Sequence, residues 1–214
     1  MNLAHSLRLA SFALAGTFAA AVDMPAQAAV RGWRNAKAGH VAGTVGNGQG
    51  GLTHFRGSRV SGARGTAAHG SATSVNPDGS LSHRGGTSVT GANGANGGSF
   101  TGSNNYTRNA DGSAQGSFQR NGSGAAGGSY ASSGNYARSS DGQWNASRQT
   151  TASGARGSYD GRTTAFNDTA THDGTLTNAA GDTYTGQTSY TKGQGITHSG
   201  SCADANGNAI PCQH

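Results

Sequence analysis

A glycine-rich unit recurs along this chain, and it constrains the fold more than any other feature. Each unit places an aromatic residue soon after a glycine pair and an Asp-Gly pair about a dozen residues later. Gly97-Gly98-Ser99-Phe100 leads to Tyr106-Thr107-Arg108 and then to Asp111-Gly112. Gly127-Gly128-Ser129-Tyr130 leads without a gap, in the same register, to Tyr136-Ala137-Arg138 and Asp141-Gly142. Upstream, Arg64-Gly65-Thr66 runs to Asp78-Gly79; downstream, Arg156-Gly157-Ser158-Tyr159 runs, with three extra residues, to Asp173-Gly174. The Asp-Gly pairs step by 33, 30 and 32 residues. A period near 31 residues marks an array of one supersecondary unit, none of which can bury its apolar face alone.

Within each unit the side chains alternate as a half-buried strand requires. Phe100, Gly102, Asn104, Tyr106 and Arg108 share one parity, as do Tyr130, Ser132, Gly134, Tyr136 and Arg138, and then Tyr184, Gly186, Thr188, Tyr190 and Lys192. The other parity carries Ser, Thr and Asn. Asp78-Gly79, Asp111-Gly112, Asp141-Gly142 and Asp173-Gly174 suit turns that need positive φ, so each unit reads as strand, tight turn, strand. A second strand after each turn bears one larger residue, Leu81, Phe118, Trp144 or Leu176. Tyr106 is then expected opposite the neighbourhood of Phe118, and Phe118 near Tyr130, giving a cross-strand aromatic ladder. The fold class is all-β, an elongated antiparallel meander of hairpins; a β-solenoid with about fifteen residues per coil is the alternative.

Composition argues the same way by exclusion. There is no Glu, Lys occurs only at 37 and 192, and large aliphatic residues are few, so helix is disfavoured. Gly, Ser, Thr, Asn and Ala dominate, a mixture that taken alone reads as disorder, most of all in the N-terminal part. The regular aromatics and the repeat register oppose that reading, because stacked repeats pool small apolar faces.

The chain divides into four parts. Residues 1–28 read as a secretory signal peptide: a short charged start with Arg8, an apolar run from Leu9 to Val22, and Ala26-Gln27-Ala28 as the cleavage pattern. Residues 29–61 form a basic, glycine-studded leading segment, 62–200 the repeats, and 201–214 a C-terminal cap. No later stretch is apolar enough for a transmembrane helix. The location implied is secreted or outer cell surface, with the periplasm as the alternative. Cys202 and Cys212, the two cysteines of an exported chain, are expected to form a disulfide that closes the last repeat.

Gly181-Asp182-Thr183-Tyr184-Thr185-Gly186, Thr188 to Gly195, Thr197-His198 and the Cys202 to Cys212 loop resemble the C-terminal ends of uncharacterised secreted glycine-rich repeat proteins of Gram-negative bacteria. The likeness covers roughly the last thirty residues and implies export and the disulfide cap, with no activity attached.

Sites are harder to read. The formal charge of +6 is carried almost wholly by Arg, which fits acidic glycans or dispersed solubility charge, and no nucleic-acid recognition motif accompanies it. His40, His54, His69 and His83 are spaced by 14, 15 and 14 residues, near half the repeat, a pattern that in a solenoid would stack imidazoles for Zn²⁺ or Cu²⁺. The Gly46 to Gly51 glycine pattern lacks the helix and acidic residue of a dinucleotide site. Asp204, Asn206 and Asn208 lack the later Glu of a calcium loop. Ser, His and Asp are plentiful, yet none sits in a nucleophile-elbow sequence, and no Glu/Asp pair is placed for glycoside hydrolysis. The reading is a non-enzymatic structural or adhesive protein without a cofactor. Tyr106, Tyr136, Tyr190, Arg108, Arg138 and Lys192 are its candidate contact residues, and acidic glycans or further copies of the chain its partners. A metal-binding module using the four histidines is the alternative.

Overall fold

Alternating side chains punctuated by glycine turns produce strands throughout the computed structural model, which describes residues 29–92 and 94–212. The expected signal peptide lies outside the described residues. In chain order the strands are β1 (Ala29–Arg34), β2 (Ala38–Gly46), β3 (Leu52–Gly62), β4 (Gly65–Val75), β5 (Leu81–Gly91), β6 (Gly94–Arg108) and β7 (Ala114–Ser123). They continue as β8 (Ser129–Arg138), β9 (Trp144–Gly154), β10 (Gly157–Phe166), β11 (Thr169–Asn178), β12 (Thr183–Thr191), β13 (Gly195–Ala203) and β14 (Ala209–Ile210). All fourteen lie in one open antiparallel sheet, in sequence order from one edge to the other. The meander is therefore the architecture, and the solenoid is not. Residues 29–61, expected as a leading segment apart from the repeats, supply β1, β2 and nearly all of β3 to the same sheet.

The Asp-Gly pairs at 78–79, 111–112 and 141–142 make one kind of turn. Gly79 N donates to Asn76 O at 3.0 Å while Asn76 N donates to Ser80 O at 3.0 Å, and the Asn109 and Ser139 turns repeat the pattern. Gly79, Gly112 and Gly142 have φ of 80°, 83° and 91°, the left-handed region that glycine enters at little cost. The carboxylate closes the turn from within: Asp78 accepts from Ser80 N at 2.8 Å and Asp111 from Ser113 N at 2.8 Å. These bonds, the side-chain hydroxyl's first, hold the Asp78 and Asp111 carboxyls below their ordinary value. Ser139 does the same for Asp141, and Asn208 for Asp204.

Asp173-Gly174 is a correction. The pair lies inside β11, where Asp173 faces Arg162 and Gly174 faces Gly161. The turn of that unit comes earlier, at Asn167-Asp168, where Asn167 itself takes φ of 48°. Gly174 instead lies beneath the Tyr159 ring, where a Cβ would meet the ring at 3.4 Å and His172 Nε2 at 3.4 Å, ordinary contact distances.

One sheet has no interior. Among the described residues none with a large side chain is fully buried, and apart from glycines only Ala68, Ala114 and Ser132 are buried. Cohesion comes from the backbone ladder and from aromatic rings laid over glycine. The aromatics do not face one another as the sequence suggested: Tyr106 and Tyr136 both oppose Gly116, Phe118 opposes Gly134, and Phe100 and Tyr130 both oppose Gly122. Where a ring lies flat over the neighbouring strand it occupies the place of a Cβ there, and Phe118 does this at Gly134. At Gly134 a Cβ would come within 2.5 Å of Phe118 Cε1 and 2.7 Å of the Ser147 carbonyl. Tyr136 and Trp144 are in looser contact, with ring centroids 6.5 Å apart.

At the C-terminal end Cys202 and Cys212 are disulfide-bonded, with Cα atoms 5.4 Å apart. The bond ties down β14, which pairs with β13 only at Cys202–Ile210 and Ala203–Ala209. Among the described residues nothing else pairs with β13 from Gly195 to Ser201 or with the outer side of β1, so both are open edges.

Three outcomes follow from this construction. Gly134→Ala is expected to destabilise by about 1 to 3 kcal/mol, because ring and carbonyl must both move. Gly70→Ala, where a Cβ meets only Arg56 O at 3.8 Å, is expected to leave stability unchanged or raise it by about 0.4 to 1 kcal/mol. Thermal melts of the two variants decide this, and equal effects would refute the ring-over-glycine account. Carboxyls depressed in the folded state contribute stability above their unfolded value near 3.8 and lose it as pH falls through the lower folded values. The melting temperature should thus be flat from neutrality to about pH 4 and fall below it, with Asp111→Asn flattening part of the fall. Cys202→Ser should cost about 2 to 3 kcal/mol in the loop-entropy account, read from denaturant melts under non-reducing conditions.

Candidate binding face

Directly opposed residues in an antiparallel sheet share a face, so rows crossing every strand define two surfaces. One surface is hydroxyl and amide. Ser99, Ser123, Ser129, Ser153, Ser158, Thr177 and Thr183 form one of its rows. Neighbours within it bond directly, Ser99 to Ser123 at 2.8 Å and Ser129 to Ser153 at 2.7 Å. Gln119, Ser133, Gln149 and Arg162 continue this surface toward the middle of the strands.

The opposite surface carries the tyrosines. Among the described residues it also carries every histidine, together with Arg31, Arg56, Arg108, Arg120, Arg138 and Arg148. No carboxylate of a described strand shares it: Asp160 and Asp173 belong to the hydroxyl surface, and the other described aspartates lie in turns or loops. A basic, aromatic face therefore stands against a polar one.

The structure gathers some of the contact residues expected from sequence. Tyr106, Gly116 and Tyr136 form one row, and Arg108, Ala114 and Arg138 the next, so these tyrosines and arginines form one patch on β6 to β8. Beside it a shallow groove of about 410 Å³ is lined by Tyr106, Phe118, Tyr136, Ala146, Arg148 and Ala165. Arg120 sits over the Phe118 ring at 5.2 Å from its centroid. Tyr190 continues the tyrosine row but stands on β12, four strands from Tyr136. Lys192 lies in the turn after β12 and pairs with Asp168 at 3.4 Å, an exposed ion pair of small energetic weight.

The four N-terminal histidines fall in two rows. His54 and His83 flank Thr73, and His40 and His69 flank Ser58. Each pair is separated by an intervening strand, roughly 9.5 Å, too far for one ion. Among the described residues no three His, Cys, Asp or Glu side chains converge on a point that could hold a metal. Hydroxyls are their partners instead: Thr44 with His54 at 3.2 Å, Thr73 with His83 at 2.8 Å, Thr87 with His69 at 3.0 Å.

A more elaborate arrangement occurs twice near the C-terminus. Tyr159 Oη lies 3.1 Å from His172 Nε2, and His172 Nδ1 lies 2.9 Å from Thr163 Oγ1. Tyr184 Oη lies 2.8 Å from His198 Nε2, and His198 Nδ1 lies 2.8 Å from Thr188 Oγ1. Each ring rests on a glycine pair, Tyr159 on Gly161 and Gly174, Tyr184 on Gly186 and Gly200. The signal for these groups was present as Tyr-x-Gly-x-Thr at 159–163 and 184–188 with His-x-Gly at 172–174 and 198–200. Reading Asp173-Gly174 as a turn hid it. Tyr130 holds the equivalent place on β8; its hydrogen bond with Ser132, then Arg148 and Arg120, draws its phenol below the ordinary range.

Comparison with protein-family models, curated proteins and solved structures gave no match. Among the described residues no helix is long and apolar enough to cross a membrane, and the disulfide is compatible with an extracellular or periplasmic location.

Proposed function

We propose that this is a secreted, non-enzymatic structural or adhesive protein of the cell surface or extracellular matrix. The observation that carries the reading is the single-layer sheet itself, which turns both faces outward and leaves Trp33, Leu52, Val60, Phe166, Leu176, Tyr190 and Ile196 exposed. A sheet built this way presents area in place of a cavity. Its polar groups are committed to one another along the rows, and its basic aromatic face suits acidic glycans. The open edges on β1 and β13 offer backbone donors and acceptors to a further copy, while Arg31 and Arg34 on β1 oppose uncontrolled pairing there. The C-terminal resemblance to exported glycine-rich proteins agrees with this placement.

The test is retention and self-association of the chain from Ala29. Quartz-crystal microbalance runs over polysaccharide films and bare polystyrene, with sedimentation velocity across an ionic-strength series, are expected to show stable coating and salt-promoted association as the arginines are screened. A chain that stays monomeric at every salt concentration and coats no surface beyond an albumin control would overturn the proposal.

A further inference from the structure

Four rings form a track across the basic face. Phe100, Tyr130, Tyr159 and Tyr184 occupy one row, on β6, β8, β10 and β12, with Gly122, Ala152 and Leu176 between them on the intervening strands. Successive rings are thus two strand spacings apart, about 9.5 Å. That step is close to the length of one disaccharide in an extended β-linked glycan. The rings are seated alike. A Cβ on Gly102 would meet Phe100 at 3.3 Å, and one on Gly186 or on Gly200 would meet Tyr184 at 2.6 Å, so each ring lies along its own strand with one face against the backbone. The outer face is left to solvent. The His172 and His198 contacts fix two of the hydroxyls, which presets the ring planes before any ligand arrives.

Basic side chains stand on the strands between the rings, in the two rows beside them: Arg120 on β7 in the adjacent row, and Arg148 on β9, His172 on β11 and His198 on β13 in the row after it. Arg148 is oriented by Nε, which donates to Ser132 at 3.2 Å and Thr150 at 3.1 Å, leaving its outer guanidinium nitrogens directed by that anchorage. A ligand matching the rings stacks one sugar of each disaccharide on a ring and presents its acidic groups to Arg120 and Arg148 on the strands between.

We infer that the face binds an extended β-linked polysaccharide bearing one carboxylate per disaccharide, lying across the strands from β6 to β13. Stacking on the Phe100–Tyr184 row sets its register, and Arg120 and Arg148 meet its carboxylates. This deepens the adhesive reading and rests on it. The strand-to-strand twist turns each ring relative to the last, which suits a single chain better than a flat crystalline sheet of chains.

Isothermal titration with hyaluronan oligosaccharides tests this, with carboxyl-reduced hyaluronan, amylose and dextran sulfate in parallel arms. De-peptidated peptidoglycan strands, which also carry one carboxylate per disaccharide, distinguish a cell-wall from a matrix source. Affinity should rise with length until about four disaccharides occupy four rings, and carboxyl reduction should cost tenfold or more. Tyr130→Ala and Tyr159→Ala should each lower affinity roughly three- to tenfold, while Tyr159→Phe retains it. Arg148→Gln should weaken binding and flatten its salt dependence. Phe166→Ala, on the hydroxyl face, should have no effect, and circular dichroism melts verify that each variant is folded.

Folded ring variants that bind as well as the unaltered chain would overturn the inference, as would equal affinity for dextran sulfate. Surface coating that persists without any affinity for acidic glycans would sink this inference and leave the adhesive reading standing. Loss of both would remove the two together.

Discussion

The contact on which the sheet depends is an aromatic ring resting on a glycine, of its own strand or of the neighbouring one. A globular domain gains cohesion by removing large side chains from water between two layers. This chain has one layer, and its rings can only shield the backbone beneath them. Glycine is what permits the approach: at Gly134, Gly186 and Gly200 a single added carbon would occupy the volume that Phe118 or Tyr184 fills. Glycine, which by composition reads as a source of disorder, is at these positions a packing requirement. The ring shields backbone hydrogen bonds from water, and the glycine accepts that cover in place of a side chain of its own.

The same contact explains what could be read in the sequence. Strand parity, the meander, the turns at 78–79, 111–112 and 141–142 and the disulfide pairing were legible, because each depends on local alternation or on a lone pair of cysteines. Partner identity across the strands was not. Tyr106 and Phe118 looked like neighbours by count, but register is set by the whole ladder, and it placed Gly116 opposite Tyr106. Asp173-Gly174 carried the turn signature yet serves as strand backbone beneath Tyr159. One dipeptide has two uses in this chain, and only the cross-strand environment separates them.

The candidate site was half legible for a related reason. Tyr106, Tyr136, Arg108 and Arg138 come from a single repeat motif, so their clustering followed from periodicity. The Phe100 to Tyr184 track and its accompanying cations come from different strands of different units. Their alignment appears only once every register is known. The histidines taught the converse lesson: even spacing along the chain became a two-strand separation in space, with Thr73 between one pair and Ser58 between the other.

Each strand pairs only with the strands before and after it, and β1 and β14 lie on opposite edges of the sheet. Tension applied between those edges would load the outermost ladder first and peel the sheet one strand at a time, since nothing behind a strand shares its burden. Extension would proceed as a series of small, similar ruptures in place of one large one, each releasing a short length of chain. At the C-terminal edge the covalent link between Cys202 and Cys212 would carry the pull past β14 and deliver it to β13. A tether with that response lengthens under load while most of its surface stays folded.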